Sequence, residues 1–291
     1  MKGRGDRQRG GPRRDGPGGR RDEKRARFMR KSQESVKEAL KSRDMVLAGV
    51  TRSIEDLDKT INLLGERLED WYGVYFPEIK ENDKIKFSQI VLVVDRENLD
   101  KKELASEFGQ KMADTIAGYA EKSLGANLSQ DDLSECQSLA SSIISLGKLR
   151  EKQEEYQKKI AEELCPNLSE VGTPEIAAKL VSHVGSLSRL AFLPASAIQV
   201  IGAEKALFKH LKNKRVPPPK HGIIFQHAKI SSSPKKVRGK IARTLANQLS
   251  LAAKADAFSK SKIGVQLREK FEKRYAEIMK QYEKEKKETS E

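Results

Sequence analysis

The chain has 291 residues, room for one or two domains of ordinary size, and carries 57 Lys+Arg against 42 Asp+Glu for a formal net charge of +15. Charged residues make up 34% and aromatics only 5%, a composition that suits helices and charged surfaces better than one large core. No run approaches the roughly 18 apolar residues of a membrane helix, the basic N-terminus has no apolar stretch behind it as a secretory signal would, and the two distant cysteines, Cys136 and Cys165, fit a reducing compartment and no metal-ligand pattern.

The charge is divided unevenly. Residues 1–31 carry net +9, residues 32–164 net −8, residues 165–258 net +11 and residues 259–291 net +3. An acidic middle flanked by two basic blocks points to a polyanionic partner. Residues 1–31 are rich in Gly, Arg and Pro, including Arg9-Gly10-Gly11. With little to bury, this segment is expected to be a disordered tail suited to loose contacts with RNA.

From about Ser32 to Tyr75 the apolar residues follow a heptad. One series is Leu40, Leu47, Ile54, Ile61, Leu68 and Tyr75; the other is Val36, Val50, Leu57, Leu64 and Trp71, interrupted at Arg43. Alternating steps of three and four predict a coiled-coil seam, ended by Pro77. At about 1.5 Å per residue such a helix reaches roughly 60 Å and needs an equally long partner. Residues 130–164 repeat the pattern, with Leu133, Cys136, Leu139, Ile143, Leu146, Leu149, Tyr156, Ile160 and Leu164, opened by Ser129 with Asp132 three residues on and stopped by Pro166. Residues 32–164 are therefore expected to form an antiparallel coiled-coil hairpin with a tip at about 78–128, an intermolecular coiled coil being the competing arrangement. Within the tip, Ile85–Val94 fits either a short strand or a buried cap, and residues 100–122 fit an amphipathic helix.

Residues 165–258 hold less Glu and more Ala, Gly, Pro and Lys. Short helices are expected around Ile176–Leu180 and Leu187–Leu190, a longer one over Ala197–Leu211 after Pro194–Ser196, a turn or strand fragment at Ile223–Phe225 and a helix over Arg238–Ala253. Pro217–Pro219 excludes regular structure between them. Residues 259–291 read as a charged helix, with Ile263, Leu267, Phe271, Tyr275 and Ile278 at helical spacing and fraying near the end. The fold class is all-α.

Catalytic motifs are missing: there is no phosphate-binding glycine loop, no H-E-x-x-H and no paired cysteines. The chain reads as a non-enzyme without metal or cofactor. The four histidines, His183, His210, His221 and His227, lie among lysines and suit phosphates or stacked bases. Between Glu204 and Arg243 there are twelve basic residues against one acid. Lys205, Lys209 and Lys212 share one helical face, with Ile198, Ile201, Leu207 and Phe208 expected toward the core. Arg238, Lys240 and Arg243 open another helix, whose N-terminus favours phosphate.

The stretch PASAIQVIGAEKALFKHLKNKRVPPPKHGIIFQHAKISSSPKKVRGKIARTLANQLSLAAKADAF at 194–258 closely resembles the Nop domain, most nearly that of the archaeal core protein of box C/D guide ribonucleoproteins. The resemblance extends through CPNLSEVG at 165–172, DLDKTINLLGERLEDWYGVYFPE at 56–78 and GANLSQDD at 125–132, about 230 residues in all. It implies a scaffold that binds a kink-turn RNA together with a small ribosomal-type protein already seated on it, and that dimerises through its coiled coil to space two 2′-O-methylation sites. By position, Glu204, Lys205, Phe208, Lys209 and His210 from the GAEKALF helix would meet RNA and protein, with Lys220, His221, Gly222 and Gln226 from the PPKHG loop and Arg238, Lys240 and Arg243 from RGKIAR. Leu47, Ile54, Leu57, Ile61, Leu64, Leu68 and Trp71 would carry dimerisation.

Two departures matter. Archaeal family members carry an N-terminal domain of roughly a hundred residues that recruits the fibrillarin methyltransferase. Here only the Arg/Gly tail precedes the hairpin, which leaves fibrillarin recruitment by this chain an open question. Lys235-Lys236-Val237 stands where the family has an aromatic pair, and Lys209 where it has arginine, a point charge in place of a bidentate fork. The implied alternatives are a short paralogue serving another kink-turn particle, and a coiled-coil structural protein with loose affinity for polyanions. Without the long Lys/Glu tails of eukaryotic relatives, an archaeal cytoplasm fits better than a nucleolus.

Overall fold

The computed structural model describes residues 17–41 and 43–288, which divide into a unit ending at Arg43 and a unit spanning Asp44–Glu291. Among the described residues the first unit holds a single helix, α1 (Pro17–Lys41). Residues 17–31 are thus helical, where the sequence predicted a disordered tail; residues 1–16 of that tail lie outside the described residues. Over its described side chains the helix forms without a core: Phe28, Met29 and Val36 are exposed. Its Arg, Lys, Glu and Ala content, with Glu23 four residues before Arg27, favours helix without a core. The single helix expected over 32–75 is two, because α1 ends at Lys41 and α2 (Asp44–Tyr72) begins beside the heptad's interruption at Arg43.

In the second unit α2 packs against α6 (Gln130–Leu164) of the same chain. The pairing is antiparallel: Gln157 Nε2 donates to Thr51 Oγ1 at 2.9 Å, and seven residues further along α2, Asp58 pairs with Arg150, seven residues earlier in α6. Leu47, Ile54, Ile61 and Leu68 are buried, so these four of the seven predicted dimerisation residues are consumed within the chain. Leu57 and Leu64 are half-buried and Trp71 is exposed. Of these three, Leu64 packs against the core between α2, α3 and α6. Helix α6 opens with a full capping box, the Ser129 hydroxyl accepting from Asp132 N–H and the Asp132 carboxylate from Ser129 N–H.

Three helices fill the connection: α3 (Lys84–Val93), α4 (Lys101–Phe108) and α5 (Gln110–Ala120). Of the two readings of Ile85–Val94, the strand is excluded. Asp83 caps the helix by accepting from Ile85 and Lys86 N–H, and Phe87, Ile90, Val91 and Val94 are buried at helical spacing. Helix α3 lies so close to α6 that a Cβ on Gly147 would sit 2.7 Å from Ile85 Cδ1. The expected helix over 100–122 is split at Gly109, whose φ of 86° favours glycine. Arg96 closes the base of the connection, donating to the carbonyls of Tyr75 at 2.6 Å and Gly125 at 2.8 Å.

The remaining helices form a module centred on α13 (Arg238–Lys254). They are α7 (Pro166–Gly172), α8 (Pro174–Val184), α9 (Leu187–Phe192), α10 (Ala195–Val200), α11 (Glu204–Lys212), α12 (Ala228–Ser231) and α14 (Gly264–Glu288). Ile223–Gln226 is a 3-10 turn and Ala255–Ser259 a π-turn. Helix α13 buries Ile241, Ala242, Leu245, Ala246, Leu249, Ala252 and Ala253 against α7, α9, α10 and α14. Leu47, Ile160 and Ala161 at the base of the α2–α6 pair belong to the same core.

A polar knot ties this core together. Asp256 in the π-turn accepts from the N–H groups of Asn167 (3.1 Å) and Leu168 (2.8 Å) and from Asn167 Nδ2 (2.6 Å). These are the unpaired donors at the start of α7, where Pro166 has none to offer. Asn167 Oδ1 in turn accepts from Ile263 N–H at 2.8 Å and Gly264 N–H at 2.6 Å, at the start of α14. Replacing Asp256 by alanine leaves several buried donors unmet and is expected to cost about 3 kcal/mol in urea unfolding, against about 1 kcal/mol for Asp132→Ala in the exposed capping box. Equal losses would show that the knot carries no special weight.

Candidate ribonucleoprotein interface

The helix expected over Ala197–Leu211 breaks at Ile201 and Gly202, where φ reaches 84°, and resumes as α11. Ile198 and Ile201 are buried as predicted, but Phe208 is 66% exposed and Leu207 only half-buried. The break turns α11 outward, so that it buries none of its residues and presents Lys205, Phe208, Lys209 and Lys212 to solvent. Polar contacts hold its two ends. The Glu204 carboxylate accepts from Gly202 N–H at 2.7 Å and meets His183 Nε2 at 2.8 Å. Partial burial opposes its ionisation, but these partners prevail and hold the carboxyl below its ordinary range. His210 Nδ1 donates to Val216 O at 2.6 Å.

The loop after α11 is pinned to α10. Gly222 N–H donates to Gln199 O at 3.0 Å and Ile223 N–H to Ile201 O at 2.7 Å, while Gln199 Nε2 donates to Lys220 O at 2.7 Å. Only glycine fits position 222: a Cβ there would lie 1.8 Å from Ile201 O. The pinned loop and the start of α13 enclose a groove of about 340 Å³, lined by Gln199, Pro217–Pro219, Lys220, Lys236, Gly239, Lys240 and Arg243. Among the described residues, four cations and no carboxylate line it. Such a groove with an apolar floor suits a phosphate backbone.

Of the predicted residues, the groove gathers Lys220, Lys240 and Arg243, and the outward helix gathers Lys205, Phe208 and Lys209. Arg238 instead holds the chain in place, donating to Ser233 O at 2.7 Å and Ser231 O at 2.9 Å and lying 5.3 Å from the Phe225 ring centroid. His221 stacks on Phe225 at 4.4 Å; burial, then Arg238 and Lys220, lowers its basicity. Gln226 turns toward α8, accepting from Lys179 Nζ at 2.8 Å. His227 packs edge-on against Phe271 and is made less basic mainly by burial. All four histidines thus have partners within the chain: His183 on Glu204, His210 on Val216 O, His221 on Phe225 and His227 on Phe271. Lys236 and Gln199 were missed as site residues; Lys236 sits in the basic run, but only the loop's return to α10 shows which members converge.

Among the described residues no group of His, Cys, Asp and Glu is arranged to hold a metal ion. Both cysteines are buried free thiols, and burial pushes Cys165 up to about 12, so it is no nucleophile at neutral pH.

The family model described as Nop, the snoRNA-binding domain, with fibrillarin in its description, matches residues 53–277. The chain belongs to the Nop family. A NOP5-family protein of Methanocaldococcus jannaschii is 40% identical over 270 residues, covering 90% of this chain and 65% of its own length. Nucleolar protein 58 of Neosartorya fischeri is 35% identical over 219 residues, 74% of this chain and 37% of its own length. The chain therefore spans between about a third and two thirds of these curated relatives. A solved structure described as a fibrillarin/Nop5p complex contains a chain with TM-score 0.50 and 28% identity, covering 87% of this chain and 78% of that one. The matched range takes in most of the α2–α6 pair, the outward helix and the groove.

Gly222→Ala is expected to detach the 217–222 loop from α10, with a drop in melting temperature and weaker retention on immobilised RNA. Unchanged retention would show that the loop does not shape the binding face.

Proposed function

We propose that this chain is an RNA-binding scaffold of a box C/D-type guide ribonucleoprotein. It recognises a kink-turn RNA with its bound ribosomal-type protein and supports 2′-O-methylation of ribosomal RNA by a separate enzyme, fibrillarin. The observation that carries this reading is the groove of Lys220, Lys236, Lys240 and Arg243 in a Nop-family module, with no carboxylate in its lining. The outward helix supplies a second surface of different chemistry, with Phe208 and Leu211 exposed beside lysines, which suits a composite target of RNA and protein. The similarity to Nucleolar protein 58 and to a Nop5p solved with fibrillarin agrees with a box C/D particle. Self-association through Leu57, Leu64 and Trp71 on the α2 face would pair two such modules. In an archaeal cell the particle would work in the cytoplasm, in a eukaryote in the nucleolus.

Groove binding has a salt signature. Removing Lys220, Lys240 and Arg243 together (each to Ala) is expected to flatten the log–log salt dependence of duplex-RNA affinity by about 0.9 per lost phosphate contact. An unaltered slope would place the RNA elsewhere. The particle itself is tested by retaining the full chain on kink-turn RNA preloaded with its ribosomal-type protein, with fibrillarin added. Co-retention of fibrillarin supports the methylation scaffold, whereas a stable complex that leaves fibrillarin unbound makes the chain a scaffold for another kink-turn particle. Binding no better than to plain duplex overturns both.

A further inference from the structure

The outward face of α13 continues past the groove. Lys240, Arg243, Asn247, Leu251 and Lys254 are all exposed and recur in steps of three and four, so they form one stripe along the helix. The sequence of α13, RGKIARTLANQLSLAAK, contains no acidic residue. From Lys240 to Lys254 the stripe runs about 21 Å. At its far end the π-turn carries Phe258 beside Phe192 of α9, with ring centroids 5.3 Å apart and planes at 61°. Phe192 is 77% exposed and Phe258 55% exposed. Single exposed apolar side chains are common, but two phenylalanines stacked edge to face in solvent form a prepared apolar surface.

The charges around this pair select its partner. Arg189, Lys254, Lys260 and Lys262 are exposed nearby in sequence and fold. Segments 187–194 and 250–263 contain one carboxylate, Asp256, which is buried and engaged with α7. A partner must therefore offer flat apolar faces together with negative charge. Single-stranded RNA does both, because unpaired bases stack on aromatic rings while their phosphates meet lysine. A duplex hides its base faces and lacks that fit.

We propose that the outward face of α13 is a track for single-stranded RNA, leading from the groove to a stacking platform formed by Phe192 and Phe258. The proposal goes beyond the scaffold reading and does not require kink-turn recognition, since the track acts on an unstructured strand. The test uses the full chain, a short single-stranded RNA carrying a fluorescent base analogue, and a blunt kink-turn RNA with no single-stranded extension. Phe192→Ala/Phe258→Ala is expected to weaken single-strand binding about tenfold or more and abolish the stacking signal, leaving the salt slope and kink-turn binding unchanged. Phe192→Trp/Phe258→Trp should keep both affinity and signal, which separates stacking from general damage to the fold. Lys254→Gln/Lys260→Gln should instead flatten the salt slope. Single-strand affinity unchanged in the alanine pair overturns the track. So does a loss confined to retention of the ribosomal-type protein, which would assign the platform to a protein partner.

Discussion

The C-terminal module depends on how Asp256 and Asn167 share their hydrogen bonds. Helix α7 starts at a proline in a buried place, and its first donors need an acceptor that the local sequence does not supply. The π-turn delivers one from almost ninety residues away, through Asp256. The same turn ends with Lys260 at φ 56°, reversing the chain so that Ile263 and Gly264 meet Asn167. One carboxylate and one amide thus fix the start of α7, the end of α13 and the start of α14. Once the end of α13 is fixed, so is the direction of the helix whose other end lines the groove.

Charge is sorted by element. On the α2–α6 pair and its connection, acids find bases: Asp58 with Arg150, Glu69 with Lys84, Glu81 with Lys86. Pairs of this kind add little stability where they are exposed, and they offset only part of the acidic charge of residues 32–164. In the module three of the four acids of residues 165–258 are engaged within the chain: Asp256 in the knot, Glu204 on Gly202 and His183, Glu170 on Arg268. Among the described residues the groove's Lys220, Lys236 and Lys240 form no such ion pair, and their field is the one a polyanion would meet.

The sequence showed most clearly what repeats or what has one local cause. The heptad positions Leu47, Ile54, Ile61 and Leu68 and the cap at Ser129 lie where periodicity and hydrogen-bond chemistry put them. The Ile263, Leu267, Phe271 and Ile278 spacing of α14 was equally readable. Ile85–Val94 stayed ambiguous because β-branched residues suit strands, while the decisive factors, the Asp83 cap and burial against α6, are partly tertiary. Phe208 was assigned inward because continuous helical phase was assumed across Gly202; the turn there resets the phase. Trp71 was placed on the seam by spacing alone, yet α6 covers only one flank of α2. Lys236 and Gln199 join the groove through a loop that returns to α10, a long-range contact that no local pattern encodes.

The two halves of the candidate interface are held by different forces. The groove rests on α13, whose inner face is fully packed, and on a loop that position 222 locks against the backbone of Ile201. It is rigid and can set the register of a phosphate chain. Helix α11 buries none of its own residues and is retained by Glu204, His183, His210 and the turn at Gly202. Elements with few buried contacts sit at the low end of local stability. A partner that covers Phe208 and Leu211 would supply the burial that α11 lacks. On the proposed function, the groove would receive RNA on a prepared surface, and the outward helix would gain its core only when the complex forms.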